Sequence, residues 1–118
     1  MNRTDIIKTV GRQYLSYNIE NDEFSYQRAY ATSHKNFASV KIGTYKDLDI
    51  RFVDNASRFA VLIETKQNFD KALRKAKEQL NAYMMYEKEL TGYKLIGIIA
   101  NTTDNRIRVW RDYVSDET

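Results

Sequence analysis

Between Lys66 and Phe69 the chain passes from short runs rich in valine, isoleucine and phenylalanine to apolar residues at a period of about 3.6, and beyond Gly92 it changes back. Before the switch lie two such runs, Leu48 to Val53 and Phe59 to Thr65, separated by the turn-forming Asp54-Asn55-Ala56-Ser57. After it, Phe69, Leu73, Ala76, Leu80, Tyr83, Met84 and Leu90 keep helical spacing. Asn68 or Asp70 can open this helix, and Gly92 closes it as a C-cap residue. A further strand, Leu95 to Ala100, follows. A helix that crosses between two strands needs a sheet to pack on, so the order favours a mixed sheet with helices against it. The fold class is α/β.

The rest of the chain fits that frame. Ile6, Ile7, Val10, Tyr14, Leu15 and Tyr17 recur at helical spacing from Thr4 to about Tyr17, with Thr4 or Asn2 as N-cap. A second helix is expected from about Glu20 to His34, although Phe24, Tyr26 and Tyr30 do not keep to one stripe. Ala38 to Gly43 reads as a strand. So does Arg106 to Arg111, where Ile107 and Val109 alternate with Arg106, Arg108 and Trp110 across the turn Asn101 to Asn105. The expected sheet therefore has about five strands.

Composition narrows the chemistry. At 118 residues, 42% hydrophobic and 30% charged, the chain is read as one domain with one modest core. It has no cysteine and one histidine, so disulfides, thiolate sites and the usual zinc clusters are excluded, and any metal must be held by oxygen. No stretch resembles a signal peptide or a membrane span, which points to a cytosolic protein that does not enter membranes. A net charge of +3 is compatible with a polyanionic partner and decides nothing alone. Its distribution is more informative, because Lys71, Arg74, Lys75 and Lys77 crowd one short segment while Asp47, Asp49 and Glu64 fall in another.

If the two runs beside Asp54 pair as a hairpin on a four-residue loop, Asp54 faces Phe59 and, counting outward, Asp49 faces Glu64. Alternation puts Lys66 on the face of Glu64, while Ile50, Phe52, Val61 and Ile63 turn to the other, apolar face. Two carboxylates side by side repel, and partial removal from water drives one to take up a proton unless a cation lies between them. Magnesium suits such oxygens and keeps waters and a substrate phosphate in its shell. Lys66 adds a point charge for a transition state rich in negative charge, or orients an attacking water. Against this stands the plain alternative that Glu-x-Lys at a strand end is a solvated ion pair, worth less than about 1 kcal/mol.

Asp49, then Ile63-Glu64-Thr65-Lys66, then a helix carrying Gln79-Leu80-Asn81-Ala82-Tyr83, resembles the PD-(D/E)XK nuclease superfamily in its RecB-like branch with a QxxxY helical signature. That branch includes nuclease domains at the N-terminus of type I restriction subunits and of restriction-methyltransferase fusions. The resemblance runs from about Gly43 to Arg111, and Ile99-Ala100-Asn101 followed by Val109-Trp110 adds to it; Leu48 stands where the motif has proline. It implies a restriction-endonuclease-like core and magnesium- or manganese-dependent hydrolysis of DNA. Asp49, Glu64 and the Thr65 carbonyl would be metal ligands and Lys66 the catalytic lysine, with Gln79 and Tyr83 lining the site. A first-helix glutamate, Glu20 or Glu23, could join them. It also implies a piece of a larger restriction enzyme, with a fused or associated methyltransferase, helicase or specificity domain, or a homodimer.

Other residues carry less. The four-residue spacing of Gln79 and Tyr83 puts both on one helix face, where an ordinary amphipathic pair beside the core would also lie. Lys71, Arg74 and Lys75 are candidates for DNA phosphate contact, or else a solvated helix face. His34 has no partner at a recognisable spacing, and Gly43 to Lys46 is too short to cradle a phosphate. A second class of function remains open, a nuclease-like module that binds nucleic acid or a protein without cutting. The full set of two acids and a lysine argues against it.

Overall fold

The hairpin forms in the register counted from the sequence. In the structure, a computed structural model that describes residues 10–11, 15, 24–33, 40–41, 47–48, 50–67, 69–101 and 107–111, Asp54 pairs with Phe59 and Ile50 with Ile63. The elements in chain order are α1 (Tyr26–Ser33), β1 (Val40–Lys41), β2 (Asp47–Leu48), β3 (Ile50–Asp54), β4 (Phe59–Lys66), α2 (Phe69–Thr91), β5 (Lys94–Asn101) and β6 (Ile107–Arg111).

Four strands make one mixed sheet in the order β3-β4-β5-β6. β4 and β5 are parallel and joined by α2, and the flanking pairs are antiparallel. Among the described residues the mixed sheet has four strands rather than the expected five or so. The fifth, Ala38 to Gly43, is described only as β1, whose two residues pair with β2 in a separate ladder, Val40 with Leu48 and Lys41 with Asp47.

Both faces of the sheet are covered, as the crossover helix requires, although the hairpin register by itself marks only the face of Ile50, Phe52, Val61 and Ile63 as buried. On one side Ile50, Phe52, Val61, Ile63, Ile96 and Ile98 pack with Val10, Leu15, Phe24 and Ala29. On the other, Ala60, Leu62, Leu95 and Ile99 pack against Ala76, Leu80, Tyr83 and Met84 of α2. A parallel pair with a helical crossover must bury its strands this way, which is why β4 is apolar at every position from Phe59 to Ile63 rather than alternating with polar residues.

Of the expected first helix only Val10, Gly11 and Leu15 are described; all three are helical in backbone and buried. The second helix starts later than the expected Glu20, because Phe24 and Ser25 are not helical. Ser25 caps α1: its Oγ accepts from the Arg28 N–H at 3.2 Å and its carbonyl from the Ala29 N–H at 3.0 Å. α2 ends as expected, with Gly92 at φ 69° and its N–H on the Lys88 carbonyl. No described helix is long and apolar enough to cross a membrane.

Two acid–arginine pairs tie helices to the hairpin. Asp54 accepts from Arg28 Nη2 at 2.7 Å, Arg28 Nε at 3.1 Å, the Ser25 N–H at 2.8 Å and the Ala56 N–H at 3.1 Å. Burial pushes the Asp54 carboxyl up, but the hydrogen bonds from Arg28 and the Ser25 N–H, with the arginine's charge, outweigh it and hold the group down at about 2. Glu87 of α2, fully buried, receives a bidentate Arg51 at 2.7 and 3.1 Å.

Two outcomes follow for stability. Because the folded pKa of Asp54 is depressed, its contribution is complete above pH about 4 and is lost as the pH falls towards about 2. Urea unfolding from pH 5 to 2 should therefore fall less steeply for Asp54→Asn than for the native chain, and parallel curves would contradict the assignment. Arg51→Met strands a buried carboxylate and should cost about 3 kcal/mol, whereas adding Glu87→Met should recover most of it. A double variant no more stable than the single one would show that the pair does not couple α2 to β3.

Candidate functional site

Polar side chains inside this fold are few, and their positions divide cleanly. The buried polar or charged residues described are Asp54, Glu64, Glu87 and Asn101. Asp54 and Glu87 are held by arginines, as above. Glu64 and Asn101 lie instead near the carboxyl ends of the parallel strands β4 and β5, and both face α2.

Their placement follows from register and alternation. Along the α2-facing side of the sheet the parallel pairs run Leu62 with Gly97, Glu64 with Ile99, and Lys66 with Asn101. Glu64 is 5% exposed and Asn101 1%, while Lys66 is half-buried. Asn101, expected in a turn, is the last residue of β5. The signal that could have found it is the parallel register, which makes it the in-register neighbour of Lys66.

α2 sits low on the sheet because Gly97 has no side chain. A Cβ there would lie 2.5 Å from Met84 Sδ and 2.9 Å from Leu80 Cδ2. Leu80 thus stands over the Leu62–Gly97 pair. One helical turn earlier is about 6 Å, close to two residues of strand, so Ala76 comes level with Glu64 and Ile99. The helix brings its N-terminal half to the end of the sheet that carries Glu64, Lys66 and Asn101.

Around α2 an i, i+4 stripe winds from solvent to core. Lys71 and Lys75 are exposed, Gln79 is half-buried, and Tyr83 and Glu87 are buried. At about 100° per residue the stripe drifts by some 40° per step, and its inner end meets β3 through Arg51. Gln79 Oε1 is buried and has no hydrogen-bond partner among the described residues. Buried amide oxygens are rarely left so, and the atom is a candidate acceptor for a ligand or water.

Set against the expected site residues, the structure puts Glu64 and Lys66 on one sheet face and turns Gln79 and Tyr83 of α2 towards it. Thr65, half-buried, points to the other face, which leaves its carbonyl as the relevant group. Lys71, Arg74 and Lys75 are exposed, and Arg74 is only loosely paired with Glu78 at 3.8 Å. By the same helical arithmetic all three lie on the solvent side of α2, Lys75 next to the flank of Gln79 and Arg74 on the opposite flank. Asp49, Glu20 and Glu23 lie outside the described residues, as do His34 and the turn at residues 102–106.

The donor chemistry fits a hard cation. Glu64 offers a carboxylate, Thr65 a carbonyl and Gln79 an amide oxygen, all hard donors. Among the described residues no three histidine, cysteine, aspartate or glutamate side chains are grouped for a metal. A second carboxylate at this site would have to come from Asp49. The described register ends at Ile50 paired with Ile63, one step short of the counted pairing of residue 49 with Glu64.

Compared with protein-family models, with curated proteins and with solved structures, the chain matches none.

Gly97 is the position on which the height of α2 depends. Gly97→Ala should cost about 1–3 kcal/mol in urea unfolding, because Leu80 and Met84 must move to admit a methyl group. An unchanged midpoint would mean that the helix is not seated on this glycine.

Proposed function

We propose that the chain is a magnesium- or manganese-dependent DNA endonuclease with a restriction-endonuclease-like core, acting as the nuclease module of a restriction system in the cytoplasm. The observation that carries this reading is the β3–β4 register. It is the register from which the juxtaposition of Asp49 and Glu64 was counted, and it comes with Glu64 and Lys66 on the sheet face covered by Gln79 and Tyr83.

In this reading Asp49, Glu64 and the Thr65 carbonyl hold the cation, which when bound supplies Lewis acidity at the phosphoryl oxygen and charge for the leaving oxygen. The protein's own part is positioning. Burial of Glu64 under α2 keeps its carboxylate from collapsing onto bulk water and fixes its direction. Lys66, at the rim, presents an ammonium to the negative charge that accumulates on the phosphoryl group, or holds the attacking water. Gln79 brings an amide oxygen to the same face, and Tyr83 fixes the helix from below.

Lys75, next to the flank of Gln79, is the basic residue of α2 best placed for a phosphate of the DNA backbone. Lys71 and Arg74 fit a longer path of the duplex around the helix. A domain of this size has little surface for reading bases in a groove, so sequence choice is assigned to a fused or associated methyltransferase, helicase or specificity domain, or to a second copy.

The test is nicking of supercoiled plasmid with magnesium. Glu64→Ala and Lys66→Ala should keep the far-ultraviolet circular dichroism of the native chain and lose about a hundredfold or more of the rate, as expected when a charge acting on the transition state is removed. Undiminished cleavage by both variants would end the proposal.

A further inference from the structure

Asn101 is the one buried polar residue described that neither an arginine pair nor the expected nuclease site accounts for. Its carboxamide is 1% exposed at the end of β5, on the side that faces α2. A carboxamide removed from water this fully needs hydrogen-bond partners; its Nδ2 finds no acceptor among the described residues, which leaves the Oδ1 as the atom through which it can act on a neighbour. The geometry limits the choice. Neighbouring strands lie about 4.8 Å apart, and the in-register neighbour of Asn101 across that gap is Lys66. The next pair down the same face is Glu64 with Ile99, and the covering helix is apolar or small at this level, with Ala76.

We infer that Asn101 is a positioning residue for Lys66, its carboxamide oxygen accepting from the ammonium at the carboxyl ends of β4 and β5. The inference rests on the nuclease reading only for its consequence for the rate.

The chemistry explains why an amide suits this position. Glu64 and Lys66 are two residues apart on one strand face, so their side chains are near enough to close an ion pair, in which each would cancel the charge the other is needed for. A neutral acceptor beside Lys66 gives the ammonium another partner and leaves its charge intact. An aspartate would neutralise it, and an aliphatic residue would offer it nothing. The oxygen of a short side chain on a buried strand also has little rotamer freedom, so it directs the longer lysine chain.

Two measurements need no metal and no activity. The first is acetylation of Lys66 by acetic anhydride, read by peptide mass spectrometry with Lys71 as internal reference. Asn101→Ala should raise the Lys66 rate by about threefold to tenfold, the factor one hydrogen bond is worth. Asn101→Asp, which restores an acceptor, should bring the rate back to or below that of the native chain. The second avoids any change to the buried residue. Lys66→Met should shift the Asn101 side-chain amide resonance in a ¹⁵N spectrum, and Lys71→Met should not.

Equal Lys66 labelling in folded native and Asn101→Ala chains would overturn the inference. Should Asn101→Ala not fold, an unmoved Asn101 resonance in Lys66→Met would overturn it equally. In the nicking assay Asn101→Ala should lower kcat by about tenfold to a hundredfold with KM little changed, the size expected of a misplaced catalytic group. Absence of nicking by the native chain would count against the nuclease reading alone, since the labelling and resonance shifts are measured independently of it.

Discussion

The parallel pairing of β4 with β5 is the constraint from which the rest follows. Parallel neighbours need a crossover, the crossover is α2, and α2 must lie on the sheet; β4 is therefore buried on both faces through Glu64. In such a strand a polar side chain has no solvent to turn to. It is compensated by a fixed partner, or it lies near a strand end, as Glu64 and Asn101 do, buried beside the half-buried Lys66. The molecule uses both solutions, at different places.

Fixed partners serve the scaffold. Asp54, at the turn end of the hairpin, gathers the start of α1 through the Ser25 N–H and Arg28, and Glu87 fastens the second half of α2 to β3 through Arg51. Each carboxylate is buried and each arginine keeps part of its surface in water, at 56% for Arg28 and 26% for Arg51. That arrangement limits the desolvation penalty to one partner and leaves the guanidinium geometry to supply direction. Neither pair is needed to hide apolar surface. What they specify is which turn of each helix meets which residue of the hairpin, and with it where Gln79 and Tyr83 fall.

The parts legible in the sequence were those set by periodicity and turn chemistry. The switch to helical spacing after Lys66 marks α2, Gly92 marks its end, and the loop length fixes the pairing of Asp54 with Phe59. Glu64 and Lys66 were legible because both lie on a strand whose register is local. That α2 covers the sheet was legible from the crossover; that Ala60 and Leu62 are the residues of β4 it buries was not, because only tertiary packing decides it. Arg51, Glu87 and Asn101 were illegible for a related reason. An arginine, a glutamate and an asparagine are usually exposed, and the burial of Glu87 and Asn101 and the pairing of Arg51 arise from contacts between residues far apart in the chain, 36 positions for Arg51 and Glu87. The start of α1 was misplaced since aromatic residues around Phe24 gave no narrow stripe, whereas the Ser25 cap, seen in the structure, sets it.

The stripe along α2 shows why the proposed chemistry belongs at one end of the sheet only. From Glu87 outward each step of four residues turns the helix surface further from the sheet, so one row of side chains passes from a neutralised acid through an aromatic and an amide to two exposed lysines. Polarity rises along that row towards the end where β4 and β5 present Glu64, Lys66 and Asn101. In the proposed function a polyanion approaching the carboxyl ends of the strands would meet solvated positive charge first and a buried carboxylate, amides and ammonium last. Solvated lysines bind a phosphate backbone without holding it in one geometry. Buried groups on a strand hold geometry but cannot recruit a partner from a distance. In the proposed function α2 would bring the lysines of its outer row to the groups that β4 and β5 hold beneath it, and only while it keeps the seat given to it by Gly97 and the anchor given to it by Arg51.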